Sequence, residues 1–185
     1  MRPHLLGVDE GPFAKGQREP VPLVAALCEG PDLLEAVATS SFPVDGDGAT
    51  EFLARWLGGL RATAGAQAVA LGGITLAGLA LVDIAALAES LATPVLVVTR
   101  RPPDNARLRE ALLAAGLGER FPIAERSPPA FATGDGLWLA HAGLSQAEAL
   151  ELLRAARGKA KLPEALRVAH LFATALVRGE SHGRV

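Results

Sequence analysis

Gln67-Ala68-Val69-Ala70-Leu71-Gly72-Gly73 is an apolar run too short for a helix and stopped by paired glycines, and it reads as a buried β-strand. What flanks it sets the fold class. Upstream, Phe52, Leu53, Trp56, Leu57 and Leu60 fall at helical spacing within Thr50–Ala62, after the turn-forming Asp45-Gly46-Asp47-Gly48. Downstream, Val82–Leu91 reads as a helix with Asp83 in its first turn, where a carboxylate favours the helix dipole. Pro94–Thr99 is the most strand-like segment of the chain and is closed by Arg100-Arg101-Pro102-Pro103. Neither strand alternates polar with apolar residues, so both are expected to be central, parallel and covered on each face.

Further out, the N-terminal third changes period. His4–Asp9 is a short apolar strand ending in an acid, Gly11–Pro20 a loop, and Val21–Cys28 a second strand. Val37, Thr39 and Phe42 favour a strand for Leu33–Val44, and the short links between these runs predict an antiparallel meander. Towards the C-terminus, Asp104–Ala115 reads as an amphipathic helix capped by Gly116, and Gly118–Gly136 as irregular. Leu137–Ala142 reads as a further short strand, and Ser145 with Glu148 as a capping box opening a helix to about Arg157. Pro163 suits the first turn of a last helix running to about Arg178. The expected architecture is α/β: one domain over residues 1–185, with a mixed sheet of about five strands, the first three antiparallel, flanked by helices.

Half of the 185 residues are hydrophobic and 21% are charged, a globular composition. The single cysteine, Cys28, excludes an internal disulfide and a Cys-rich zinc site, and within Val21–Cys28 it reads as a buried, inert thiol. No leader or membrane-length apolar stretch is present, so a cytoplasmic location is the default expectation. At a net charge of −2, any grip on nucleic acid has to come from local basic clusters. The candidates are Arg100-Arg101 with Arg107 and Arg109, and Arg154, Arg157, Lys159, Lys161 and Arg167. Each taken alone reads as a solvated helix face before it reads as a nucleic-acid contact. Abundant Ala, Leu and Pro with a single asparagine, Asn105, suit a thermophile or a GC-rich genome.

Among the acids, Asp9 stands out because it ends a buried strand just before Glu10-Gly11-Pro12 turns the chain. A carboxylate there is placed to hold Mg²⁺, which takes few protein carboxylates plus waters and phosphate oxygens; it also suits an aspartate capping its own turn. Asp45 and Asp47, with Glu51 a helical turn on, could gather around a cation or simply open the helix. Gly72–Gly78 lacks the lysine of a phosphate-binding loop. The four histidines show no metal-ligand spacing, and His170 among apolar residues reads as a hydrogen-bonded core histidine. Ser181-His182 as nucleophile and base ranks far below the other readings, because no nucleophile elbow surrounds it.

Several strings together resemble a known family: Leu6-Gly7-Val8-Asp9-Glu10-Gly11-Pro12-Phe13, Val44-Asp45-Gly46 through Ala49-Thr50-Glu51, and Gly73-Ile74-Thr75-Leu76-Ala77-Gly78 with Val82-Asp83-Ile84. Pro94–Val98 with Arg100-Arg101-Pro102, Pro163–Leu171 and Gly179-Glu180-Ser181-His182-Gly183-Arg184 complete the set. The chain is similar to domain of unknown function family 99, an uncharacterised endonuclease V-like family. The resemblance implies a ribonuclease H-like fold and a hydrolase that cuts DNA or RNA strands near deaminated bases, using magnesium held by carboxylates. Asp9 matches the first-strand metal-binding aspartate, and Asp47 is the match to the second acid, although the family places it where Gly48 stands. The third acid is absent: the family reads Leu-Asp-Gly-Ile-Thr where this chain has Leu71-Gly72-Gly73-Ile74-Thr75. A metal site of Asp9 with Asp45, Asp47 and Asp83 is therefore expected to hold Mg²⁺ or Mn²⁺ weakly. The alternative is a non-catalytic protein that keeps the fold and grips nucleic acid through Arg100 and Arg101.

Overall fold

The structure is a computed structural model and describes residues 2–182. β1 (His4–Glu10), β2 (Val21–Glu29) and β3 (Leu33–Phe42) form the antiparallel meander expected from their short links. The chain continues through α1 (Ala49–Gly58), α2 (Arg61–Gly65), β4 (Ala68–Leu71) and the small hairpin β5 (Thr75–Leu76) and β6 (Ala80–Leu81). Next come α3 (Ile84–Leu91), β7 (Val95–Thr99), α4 (Asn105–Ala114), a 3-10 turn at Gly118–Arg120 and α5 (Phe121–Arg126). β8 (Phe131–Ala132), β9 (Trp138–Ala142), α6 (Gln146–Ala155) and α7 (Glu164–Arg178) complete the described chain. No described helix is long and apolar enough to cross a membrane.

The main sheet runs β3-β2-β1-β4-β7-β9-β8 and has seven strands, not about five. β4 pairs in parallel with both β1 and β7, so the two unalternating runs are the central parallel members. β9, antiparallel to β7, is the short strand expected at Leu137–Ala142, and the two-residue β8 beyond it is the added one. β8 lies in the proline- and glycine-rich stretch and is too short to leave a periodic signal. The expected helix Thr50–Ala62 is broken at Gly59 into α1 and α2. Neither Asp47 nor Thr50 caps α1; Gly48 does so in a left-handed conformation (φ 69°), while Thr50 Oγ1 accepts a hydrogen bond from the Asp83 amide at 2.9 Å.

Strand pleating sends alternate residues to two separate cores. Leu6, Val8, Val69, Leu71, Val95 and Val97 pack with Leu53, Leu57, Ile84 and Leu87 of α1 and α3. Leu5, Ala68, Ala70, Leu96 and Val98 pack with Leu153 of α6 and with Ala165, Ala169 and Ala173 of α7. Along α7 those alanines recur every four residues and form a low ridge, and opposite them β1 carries Gly7. A Cβ on Gly7 would lie 2.3 Å from the Ala165 carbonyl carbon, so α7 presses against β1 more closely than any side chain would allow. That close approach brings the next face of α7 to the end of β1.

Candidate active site

Because β1, β4 and β7 are parallel, their carboxyl ends share one edge of the sheet. Asp9 sits at the end of β1, Gly72 follows β4, and Arg100 and Arg101 follow β7. In open α/β sheets this edge is where ligands bind. Asp9 alternates with Gly7 and so faces α7, where its Oδ2 lies 2.8 Å from Nδ1 of His170. Its Oδ1 accepts a hydrogen bond from the Glu10 amide at 2.9 Å. On the far side of Oδ1 is open space: a Cβ built on Gly72 meets nothing nearer than Asp9 Oδ1, at 4.0 Å, and the backbone there is not left-handed.

His170 is not a core histidine, since 43% of its side chain is exposed. Its hydrogen bond to Asp9 favours the charged ring and raises its pKa above the usual histidine value, outweighing partial burial. The charges of Arg100 and Arg178 oppose that rise, so both arginines act on the same ring. Glu10 faces the other way, and its Oε2 accepts a hydrogen bond from the Ala77 amide at 2.8 Å in the β5–β6 turn. Burial pushes its pKa up to about 7 despite that hydrogen bond, and the neighbouring charge of Asp9 adds to the rise. Neither His170 nor Glu10 had been singled out as a site residue from the sequence. The available signal for His170 was its place beside the Ala165, Ala169, Ala173 ridge.

Three cavities open around this edge. Asp9 and Glu10 line one of about 150 Å³ with Leu71, Gly72, Gly73 and Thr75. They also line one of about 470 Å³ with His170, Thr174, Arg178, Ser181 and His182. The third, about 290 Å³, starts at Gly73 and Thr75 and passes Val97, Thr99, Asn105 and Pro129.

The other acids are engaged elsewhere, and none lines the cavities that Asp9 lines. Asp45 has a positive φ of 53° and its Oδ1 accepts a hydrogen bond from the Leu79 amide at 2.7 Å, fastening the β5–β6 hairpin. Asp47 pairs with Arg120, a largely buried guanidinium that also donates to the Leu79 carbonyl at 3.0 Å. Asp83 is the N-cap of α3, accepting from the Ala85 and Ala86 amides at 3.2 and 3.1 Å, and its other oxygen meets Arg126 at 2.6 Å. Burial would raise its pKa, but the Arg126 and backbone hydrogen bonds hold it below the usual aspartate value.

Asp9 thus faces the space at Gly72, with Glu10 beside it, and His170 meets Asp9 from the neighbouring cavity. Among the described residues, the one trio of His, Cys, Asp or Glu with ligand atoms all within 4.8 Å is His4, Glu29 and Glu35, at the other end of the strands. What the Asp9 edge fits is an ion held by one or two protein groups and completed by water and phosphate oxygens, the manner in which Mg²⁺ is commonly bound.

A family model described as "Endonuclease dU" matches residues 2–177. A "UPF0215 protein" of Deinococcus radiodurans is 38% identical over 186 residues, covering 98% of this chain and 92% of that protein. Another, from Methanothermobacter thermautotrophicus, is 33% identical over 183 residues, covering 97% and 90%. A crystallised protein of unknown function from Archaeoglobus fulgidus superposes with a TM-score of 0.86 at 29% identity, covering 95% of this chain and 99% of that one. Endonuclease V of Ciona intestinalis, in complex with DNA containing an inosine, superposes with a TM-score of 0.58 over 91% of this chain and 82% of that one. At 11% identity, the last likeness is one of fold.

Proposed function

Because this chain belongs to the endonuclease dU family, we propose that it is a divalent-metal-dependent endonuclease that cuts a nucleic-acid strand near a deaminated base. The observation that carries this reading is Asp9 at the carboxyl end of β1, paired with His170 through one oxygen and facing open space at Gly72 with the other. Asp9 would hold the ion, and His170 would steady its carboxylate. When bound, it would supply an activated water and neutralise charge developing on the phosphate. The protein's own share is positioning. With Nδ1 of His170 committed to Asp9, Nε2 is the ring atom left to meet the substrate or its water. Arg100 and Arg101, exposed at the end of β7, are suited to phosphates through charge-assisted hydrogen bonds. The cavity beginning at Gly73 has apolar walls and polar edges at Thr75, Thr99 and Asn105, which suits one base turned out of its stack. The family's description suggests deoxyuridine, and the inosine in the Ciona complex makes hypoxanthine the second base to try.

A second reading, binding without cutting, is favoured by Gly72, which offers no side-chain oxygen where the third acid is expected. Labelled duplexes carrying one deoxyuridine or one inosine, with Mn²⁺ or Mg²⁺, separate the two. The proposal expects wild type to bind and nick them, and Asp9→Ala to bind but not nick. Binding by both proteins with no nicking by wild type would replace the proposal with the second reading.

A further inference from the structure

At the opposite end of the sheet from Asp9, His4 begins β1, Glu29 ends β2 and Glu35 lies near the start of β3. His4 and Glu29 are direct cross-strand partners, so their side chains leave the same face. Glu35 joins them through an irregularity. Leu27 pairs with Ala36 and Cys28 with Leu34, so Glu35 is the extra residue of a β-bulge, a device that re-aims a side chain. As a result, one ligand atom from each of the three residues lies within 4.8 Å of the other two. His4 Nε2 and Glu35 Oε2 are 3.3 Å apart.

Charge bookkeeping points the same way. Among the described residues, Glu29 forms no ion pair and Glu35 pairs only with His4, while Arg2 is engaged with Asp32 at 3.5 Å. Two carboxylates at ligand-sharing distance with no lysine or arginine between them repel, and a cation removes that repulsion. We propose that His4, Glu29 and Glu35 form a second, structural metal site that clamps the ends of β1, β2 and β3. One imidazole with two carboxylates suits a borderline ion such as Zn²⁺ better than Mg²⁺, which prefers oxygen alone. His4 and Asp9 are five residues apart on one strand, roughly 17 Å at the usual rise. The clamp therefore shares no ligand with the Asp9 edge and does not depend on the proposed nuclease reading.

Zn²⁺ is titrated calorimetrically into the full chain stripped with EDTA, and thermal unfolding is followed with and without Zn²⁺. The expected result is one bound Zn²⁺ and a raised midpoint in wild type, both retained in Asp9→Ala. Glu35→Gln and His4→Ala should each weaken binding at least about tenfold, as losing a metal-site partner does elsewhere, and abolish the rise. Glu29→Gln is the further variant should either not fold, judged by circular dichroism. Wild type that binds no Zn²⁺, variants that bind it as wild type does, or binding lost in Asp9→Ala would each overturn the site.

Discussion

Burial shifts Glu10 from the usual 4.5 to about 7, so the folded chain prefers this carboxyl protonated well into the range where the unfolded chain has ionised it. Below 4.5 the two states are alike; as pH rises from 4.5 through about 7, stability falls. That displacement corresponds to at most about 3 kcal/mol. In EDTA, Glu10→Gln should unfold at higher denaturant than wild type at pH 8 and at equal denaturant at pH 4; an unchanged pH profile would contradict this assignment. His170 adds a dependence of the same direction. Its pKa is raised, so its pairing with Asp9 stabilises below the ordinary histidine value and fades as pH climbs through the raised one. With much of the ring exposed, only the direction is predicted: His170→Ala costs more stability at pH 5.5 than at pH 9, measured by urea unfolding.

Among the elements, α7 decides whether the Asp9 edge exists at all. Its alanine ridge seats on Gly7, and a methyl group there would meet the Ala165 backbone. Gly7→Ala is expected to lose about 1–3 kcal/mol, the usual range for overpacking, and to weaken the Asp9–His170 contact, visible as a lowered His170 pKa by NMR. A variant as stable as wild type with an unmoved His170 would show that the close approach is not what seats the helix. α3 offers an independent test: Asp83→Ala should lose about 1 kcal/mol through the lost N-cap, without changing any metal-dependent property, since Asp83 is turned towards Arg126. The elements were largely legible in the sequence because period and punctuation are local. The two central strands, the meander and α7 follow from apolar runs ended by Gly and Pro. β8 and the β5–β6 hairpin were not legible, because two-residue strands carry no period.

For the molecule as a whole, the edge draws on strand ends distant in sequence, and this is why the candidate site was only half legible. Asp9 was visible from its place after an apolar run, and the gap at Gly72 from the family resemblance. The partner of Asp9 lies 161 residues further on, and only the packing of α7 on β1 joins them. Asp45, Asp47 and Asp83 looked equivalent to Asp9 as letters, yet the fold gives each its own donor. With a net charge of −2, nucleic-acid affinity should be modest and concentrated at the basic end of β7. Replacing Arg100 and Arg101 with Ala should lower the slope of log affinity against log salt by about 2 for duplex DNA; an unchanged slope would move the phosphate contact elsewhere.

The central claim is an intact Asp9–His170 edge lacking one oxygen at position 72. It is tested most directly by titrating Mn²⁺ calorimetrically into Gly72 and Gly72→Asp proteins, both carrying Glu35→Gln so that the strand-end trio contributes nothing. The open space at Gly72 predicts a folded Gly72→Asp protein that binds Mn²⁺ at least about tenfold more tightly than its parent, since one added carboxylate ligand completes more of the ion's shell. Adding Asp9→Ala should remove that gain. Tight stoichiometric binding already present with Gly72, or no gain in a folded Gly72→Asp protein, would contradict the account.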